Sequence, residues 1–207
     1  MVDFIADLDD YFCKTYAGYD KICMLDGYQM PKRQTSEMRN GKTYAYTLSQ
    51  ELLKLDRQEN KGAMLAQLKE KLTDKSFSFT FYTVSVWQKI KYRKFYKEAK
   101  QTLGLMLERY QLMDEEVQKT IEIDPFVWKN IVKGKFMPSK NLLLSLFLSA
   151  HFSIEDAETM LSAFDCEFDY AQAKDVVVRY LLEQKIYNEQ LQQAALAEYK
   201  VRHLFLR

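Results

Sequence analysis

Apolar residues first recur at three- and four-residue intervals: Phe4, Ile5, Leu8, Tyr11, Phe12 and Tyr16. This spacing predicts an amphipathic helix over 2–17, which Gly18 can end. Ile22 to Leu25 is a short apolar stretch before the turn signal Asp26-Gly27, and Pro31 to Asn40 is polar and loop-like. Asn40-Gly41 is a hairpin signal, because a type I′ turn needs positive φ at both central residues. After it Tyr44, Tyr46 and Leu48 alternate with Thr43, Ala45 and Thr47, a strand to which Glu37–Arg39 is the segment that would pair back. Ser49 can cap a helix reaching about residue 73 through Leu52, Leu53, Leu55, Met64, Leu65, Leu68 and Leu72, with a break near Gly62. Phe77, Phe79 and Phe81 then alternate with Ser78, Thr80 and Tyr82. That is a strand with one buried face, able to pair with the Tyr44–Leu48 strand.

The pattern changes at Lys89–Lys100, KIKYRKFYKEAK, where six basic residues accompany one acid, Glu98. Everything beyond reads as helix and turn, so strands are expected only within 20–85. The division predicted is a small α+β unit over 1–88, a basic connector helix over 89–102 and a helical bundle over 103–207. Within the bundle a first helix ends at Tyr110, and Asp114 can cap a second that turns Val117 and Ile121 inward. Asp124-Pro125 starts a third, a capping carboxylate followed by proline at the first helical position. It carries Trp128, Ile131 and Val132, and Gly134 closes it. Ser139 caps a fourth with Leu142, Leu143, Leu146 and Phe147 apolar; Ser153 caps a fifth, Ile154 to Phe164, with Asp156 at the capping-box position. Asp169 can cap Tyr170–Gln184, and Asn188 a last helix to Tyr199. The apolar tail Leu204, Phe205, Leu206 would dock on the body or on a partner.

The segment MLERYQLMDEEVQKTIEIDPFVWKNIVKGKFMPSKNLLLSLFLSAHFSIEDAETML, about 60 of 207 residues, resembles the phage-repressor (lambda-repressor-like) helix-turn-helix domains. Gly134, Pro138, the Leu142–Leu146 face and the Ile154–Leu161 face stand at that family's spacing. The resemblance implies a recognition helix at Pro125–Lys133 and a DNA-binding regulator. The fold class expected is therefore mainly α, with a small α+β N-terminal part and a bundle containing this motif.

Charge alters the functional side of that resemblance. The family opens its recognition helix with small polar and basic residues; here Pro125, Phe126, Val127 and Lys129 stand there, and aromatic or β-branched side chains offer no bidentate donors to bases. The second helix opens with Asp114-Glu115-Glu116, which would repel a phosphate backbone. Segment 103–164 holds six Lys/Arg against nine Asp/Glu, a net of −3, whereas phosphate neutralisation dominates DNA affinity. The function expected is a non-enzymatic regulatory or adaptor protein that binds a protein partner. Phe126, Val127, Lys129, Asn130 and Lys133 are its candidate contact residues. The alternative is a DNA-binding regulator of the helix-turn-helix type. Lys89, Lys91, Arg93, Lys94, Lys97 and Lys100 form a candidate nucleic-acid strip, with Tyr92, Phe95 and Tyr96 available for stacking. Any such binding is expected to be weak.

Composition narrows the rest. Six Gly and three Pro in 207 residues imply long regular elements, and the formal net charge is only +1. That near-neutrality hides 18 Lys/Arg against 13 Asp/Glu in 1–102, and 12 against 16 in 103–207. Three cysteines without CxxC spacing, Cys13, Cys23 and Cys166, suit a reducing cytoplasm. The acidic start and a longest apolar run of Leu142–Ala150 predict neither signal peptide nor membrane span. His151 and His203 have no His or Cys at ligand spacing, and no phosphate loop or nucleophile elbow occurs. No metal, cofactor or catalytic residue is therefore expected. His151 is read as a helix C-terminal cation, Trp128 as a core residue, and Cys166 as a poor nucleophile between Asp165 and Glu167.

Overall fold

The structure, a computed structural model, describes residues 2–16, 34–39, 42–47, 61–72, 81–112, 115, 121 and 123–201, with the backbone alone for 2, 3, 34–39, 42–47 and 61. It is mainly helical, with short antiparallel strands. In chain order the elements are α1 (Val2–Thr15), β1 (Gln34–Arg39), β2 (Lys42–Thr47), α2 (Lys61–Lys71), β3 (Phe81–Thr83), α3 (Val86–Lys91), α4 (Arg93–Arg109), α5 (Pro125–Val132), β4 (Phe136–Pro138), α6 (Lys140–Ser149), α7 (Ile154–Ala163), α8 (Ala173–Glu183) and α9 (Glu189–Glu198). Several expected features lie outside the described residues: the end at Gly18, Ile22–Leu25, the Asp26-Gly27 and Asn40-Gly41 turns, the Ser49–Leu55 stretch, Phe77, Phe79, Asp114, Glu116, Val117 and the apolar tail. Of the expected second bundle helix, Glu115 and Ile121 are described, both helical, with Ile121 fully buried.

α6 is the centre. Every residue from Leu142 to Leu148 is buried, because α7 and α8 both pack on it. The expected amphipathic face of Leu142, Leu143, Leu146 and Phe147 is thus one part of a helix enclosed all round. Ser145, the polar member of the run, donates its hydroxyl to the Asn141 carbonyl, 3.0 Å away. Burying Leu and Phe side chains at about 1.5–3 kcal/mol each makes this helix the largest single apolar contribution to the core.

The first helix belongs to the same core. Leu8 and Phe12 of α1 and Leu65 and Leu68 of α2 cluster with the C-terminal helices. Phe12 stacks on Tyr199 at 4.2 Å, and Tyr11 meets Tyr180 at 5.2 Å. Asp9 accepts from Tyr199 Oη at 2.7 Å and from Lys69 Nζ at 2.8 Å, and Lys69 also reaches Glu198 at 2.6 Å. Burial pulls the Lys69 ammonium down, but Asp9 and Glu198 outweigh it and hold it above its ordinary value. Burial, reinforced by the Asp9 hydrogen bond, raises the Tyr199 phenol.

The expectation that 103–207 is free of strand is overturned. β4 lies inside it and pairs antiparallel with β3, joining Phe81 to Pro138, Tyr82 to Met137 and Thr83 to Phe136. The described end of the expected aromatic strand, β3, therefore pairs with β4 rather than with β2. The pairing spans the division at residue 88, as does the packing of α1 on α8. β3 is also exposed rather than half-buried. Segment 135–138 has no alternating pattern of its own; the strand arises because Gly134, at φ +68°, turns the chain after α5, and Phe136 then stacks on Phe81 at 4.8 Å. The other ribbon joins β1 to β2 from Gln34–Thr47 to Arg39–Lys42, so the stretch read as polar loop supplies the first strand of the hairpin.

Local caps match their residues closely. Asp124 accepts from the amides of Phe126 and Val127, and Ser139, Ser153 and Asn188 cap α6, α7 and α9. Two expectations differ. Asp156 does not close a capping box, because Tyr110 takes that position: its hydroxyl accepts from the Ser153 amide at 2.8 Å and donates to Asp156 at 2.7 Å, while Arg109 also pairs with Asp156. Asp169 does not cap a long helix, since its carboxylate accepts from the Ala171 amide and α8 begins at Ala173.

The low glycine count has a counterpart at the helix ends. After α4, α6, α7, α8 and α9 the chain turns through a left-handed residue that is not glycine: Gln111, His151, Asp165, Lys185 and Lys200. Each turn closes with an amide reaching back five residues, as from Ile186 to Leu181. His151 therefore acts through its backbone, and its ring lies 4.7 Å from Tyr187.

Leu144→Ala should lower unfolding free energy by about 2–5 kcal/mol, a core cost rather than a surface one. A denaturant midpoint measures it, and a loss below about 0.5 kcal/mol would refute the enclosure of α6. Lys185→Gly, exposed and at φ 53°, should raise stability by about 0.5–1 kcal/mol once the left-handed strain is relieved.

Candidate functional site

α3 has no buried residue. A six-residue helix without burial is marginal, since isolated helices need roughly 12–15 residues even in favourable sequences. It is held by its start. Ser85 accepts from the Gln88 amide at 3.2 Å, and the Gln88 side chain accepts from the Ser85 amide at 3.1 Å, closing a capping box. At its end the Tyr92 amide donates to Gln88 O at 2.8 Å, and Tyr92 O accepts from Tyr96 to begin α4.

This corner carries apolar surface into solvent. Trp87 is 83% exposed, Val86 72% and Ile90 64%. At about 100° per residue, Val86, Ile90 and Trp87 fill an arc of roughly 100°, with Lys89 on one side and Lys91 on the other. Upstream, Phe81 and Tyr82 are also exposed. The Phe81 ring stacks on Phe136, which meets Phe126 edge-on at 6.2 Å. Phe126, at the start of α5, is 68% exposed. Aromatic surface thus runs from β3 across β4 to α5, and β3 leads into α3 through Val84 and Ser85.

The α5 candidates separate. Phe126, Lys129 and Lys133 are exposed, Val127 is half-buried against the core, and Trp128 is buried. Asn130, expected to face a groove, is buried instead; its amide donates to the Phe126 carbonyl at 2.8 Å and its own carbonyl accepts from Lys135. The i−4 bond and the turn at Gly134 draw it inward.

In the basic strip, Lys91, Arg93, Lys94, Lys97 and Lys100 are exposed and Lys89 is half-buried. Lys94 has a loose pair with Glu98 at 3.8 Å. The Lys100 stem lies against Gly134, where an added Cβ would stand 3.3 Å from its Cδ. α4 packs on α5, so the strip and α5, far apart in sequence, adjoin. Tyr92 is half-exposed beneath Lys91, whereas Phe95 and Tyr96 are partly buried. Sequence reasoning gave no role to Val86, Trp87 and Ile90. Their i, i+1, i+4 spacing behind Ser85 was the available signal, masked by lying between a strand pattern and a charge run.

Elsewhere, a pocket of about 320 Å³ is lined by Glu158, Cys166, Phe168, Tyr170 and Arg179 among others. Burial pushes the Cys166 thiol up; Lys140 opposes this, and Asp165 and Asp175 add to it. Among the described residues no three His, Cys, Asp or Glu side chains gather as a metal set, and no helix is long and apolar enough to cross a membrane. No family model, curated protein or solved structure matches the chain.

Ser85→Ala should cost about 1 kcal/mol of α3 stability. Hydrogen exchange of the Lys89 and Tyr92 amides should accelerate while the global unfolding midpoint stays put; unchanged exchange would show that the cap does not hold the helix.

Proposed function

We propose that the chain is a non-enzymatic regulatory or adaptor protein that works by binding a protein partner. The observation that carries this reading is Trp87, 83% exposed on a helix that buries nothing. Trp and Tyr anchors dominate protein interfaces, and contiguous exposed apolar surface marks interaction sites. Phe126, exposed and edge-on to Phe136, adds a second exposed aromatic at the start of α5.

The second reading is a DNA-binding regulator of the phage-repressor helix-turn-helix type. Exposed Lys129 and Lys133, beside Lys100 at Gly134, favour it. Against it stand a phenylalanine at the tip of α5, a buried Asn130 and the acidic balance of 103–164.

Salt titration on duplex DNA discriminates the two. Binding should be weak, salt-sensitive and indifferent to sequence, and Lys129→Ala with Lys133→Ala should lower it uniformly. Nanomolar preference for one duplex over scrambled DNA at physiological salt would establish the second reading. Phe126→Ala should weaken a protein complex by about 1–2 kcal/mol, measured by calorimetry, without shifting the unfolding midpoint.

A further inference from the structure

Resting on the protein-partner reading, we infer that what α3 docks is an acidic segment: apolar residues flanked by Asp or Glu. Where helices meet, several cations are answered within the protein. Lys69 pairs with Asp9 and Glu198, Lys140 with Asp175, Arg109 with Asp156, and Arg179 with Glu158 and Glu183. The cations around α3 are not answered by a described residue in this way, as is also true of exposed Lys129, Lys133 and Lys135, but here they border an exposed apolar arc. Lys91, Arg93 and Lys97 are exposed and form no ion pair with a described residue, and Lys94 holds Glu98 only loosely and in solvent. Lys89 and Lys91 stand on either side of the Val86–Ile90–Trp87 arc. The cations thus frame the apolar face, the arrangement in which a partner's carboxylates fall at the rim while its apolar residues cover the centre.

The chemistry of the face favours protein over the other polyanions. Of the three residues of the face, Trp87 alone could stack on a base, while Val86 and Ile90 have no π-face for one and no donor for its edge. Binding at a membrane surface scales with the apolar area inserted, and the three apolar residues of six-residue α3 offer little. An acidic peptide satisfies both the short apolar arc and its cationic frame.

The experiment places a photoreactive group in the full chain by Trp87→p-benzoylphenylalanine, an aromatic exchange at an exposed site. Irradiation is done in cells that naturally carry the protein, and mass spectrometry identifies the linked peptide. The expected product is a protein segment in which Asp and Glu outnumber Lys and Arg around apolar residues. Lys94→Glu with Lys97→Glu should cut its capture by about fivefold or more, while Lys129→Glu with Lys133→Glu leaves it unchanged. The linked peptide, synthesised, should bind the purified chain and weaken about tenfold as salt rises from roughly 0.05 to 0.5 M. A neutral or basic segment, capture untouched by the Lys94/Lys97 reversal, or a link to another copy of this chain overturns the acidic-segment inference and leaves the protein-partner reading standing. A link to lipid, to nucleic acid, to the chain's own segments or to nothing overturns both. Unchanged unfolding midpoints of all three variants confirm that the surface, not the fold, was altered.

Discussion

A helix whose side chains are buried from Leu142 through Leu148 must be surrounded, and that requirement organises the rest of the molecule. No single neighbour can cover a helix apolar on every side. α7 and α8 each cover part of it, and α8 is in turn covered by α1 and α9. The first and last described helices therefore meet, and the core is one body with contributions from Leu8 to Val201. A core of this kind tolerates few polar intrusions, and the one charged side chain among its described buried residues, Asp175, is engaged by Lys140 and by the Asp169 amide through one carboxylate oxygen.

Where α1, α2 and α9 converge, specificity comes from polar groups at the margin of that core. Asp9, Lys69, Glu198 and Tyr199 form one connected set, with Lys69 also 4.9 Å above the Tyr199 ring. Asp9, Lys69 and Glu198 are partly exposed, so their ion pairs contribute modestly to stability, but together with the buried Tyr199 they tie these helices to one another. Tyr110 does the same at the start of α7, joining the end of α4 to Ser153 and Asp156 while its ring stacks on Phe152 at 4.0 Å.

The β3–α3–α4 corner obeys a different rule. Its helix α3 buries no residue: Val86, Trp87 and Ile90 face water, and a capping box supplies what packing does not. Holding a rigid aromatic anchor outward on a capped helix lowers the ordering cost of association. None of those three side chains is buried among the described residues, and the proposed docking surface is placed there for that reason.

Local signals were legible in the sequence. Asp124-Pro125, Ser139, Ser153 and Asn188 start helices because each cap needs only its own side chain and the next turn's amides. The high helical content likewise follows from local spacing, whereas the raised Cys166 thiol owes most to burial and only in part to its chain neighbour Asp165. Contacts made by distant residues were not legible. β4 exists because Phe81 and Phe136 meet across the fold, and α6 is enclosed because α7 and α8 close around it. Asn130 is lost to the surface because its amide bonds one turn back and the chain folds at Gly134. The two tryptophans show the limit most directly: at Trp128 and Trp87 the side chain is the same, and only what packs beside each backbone decides that one is sealed in the core and the other stands in solvent.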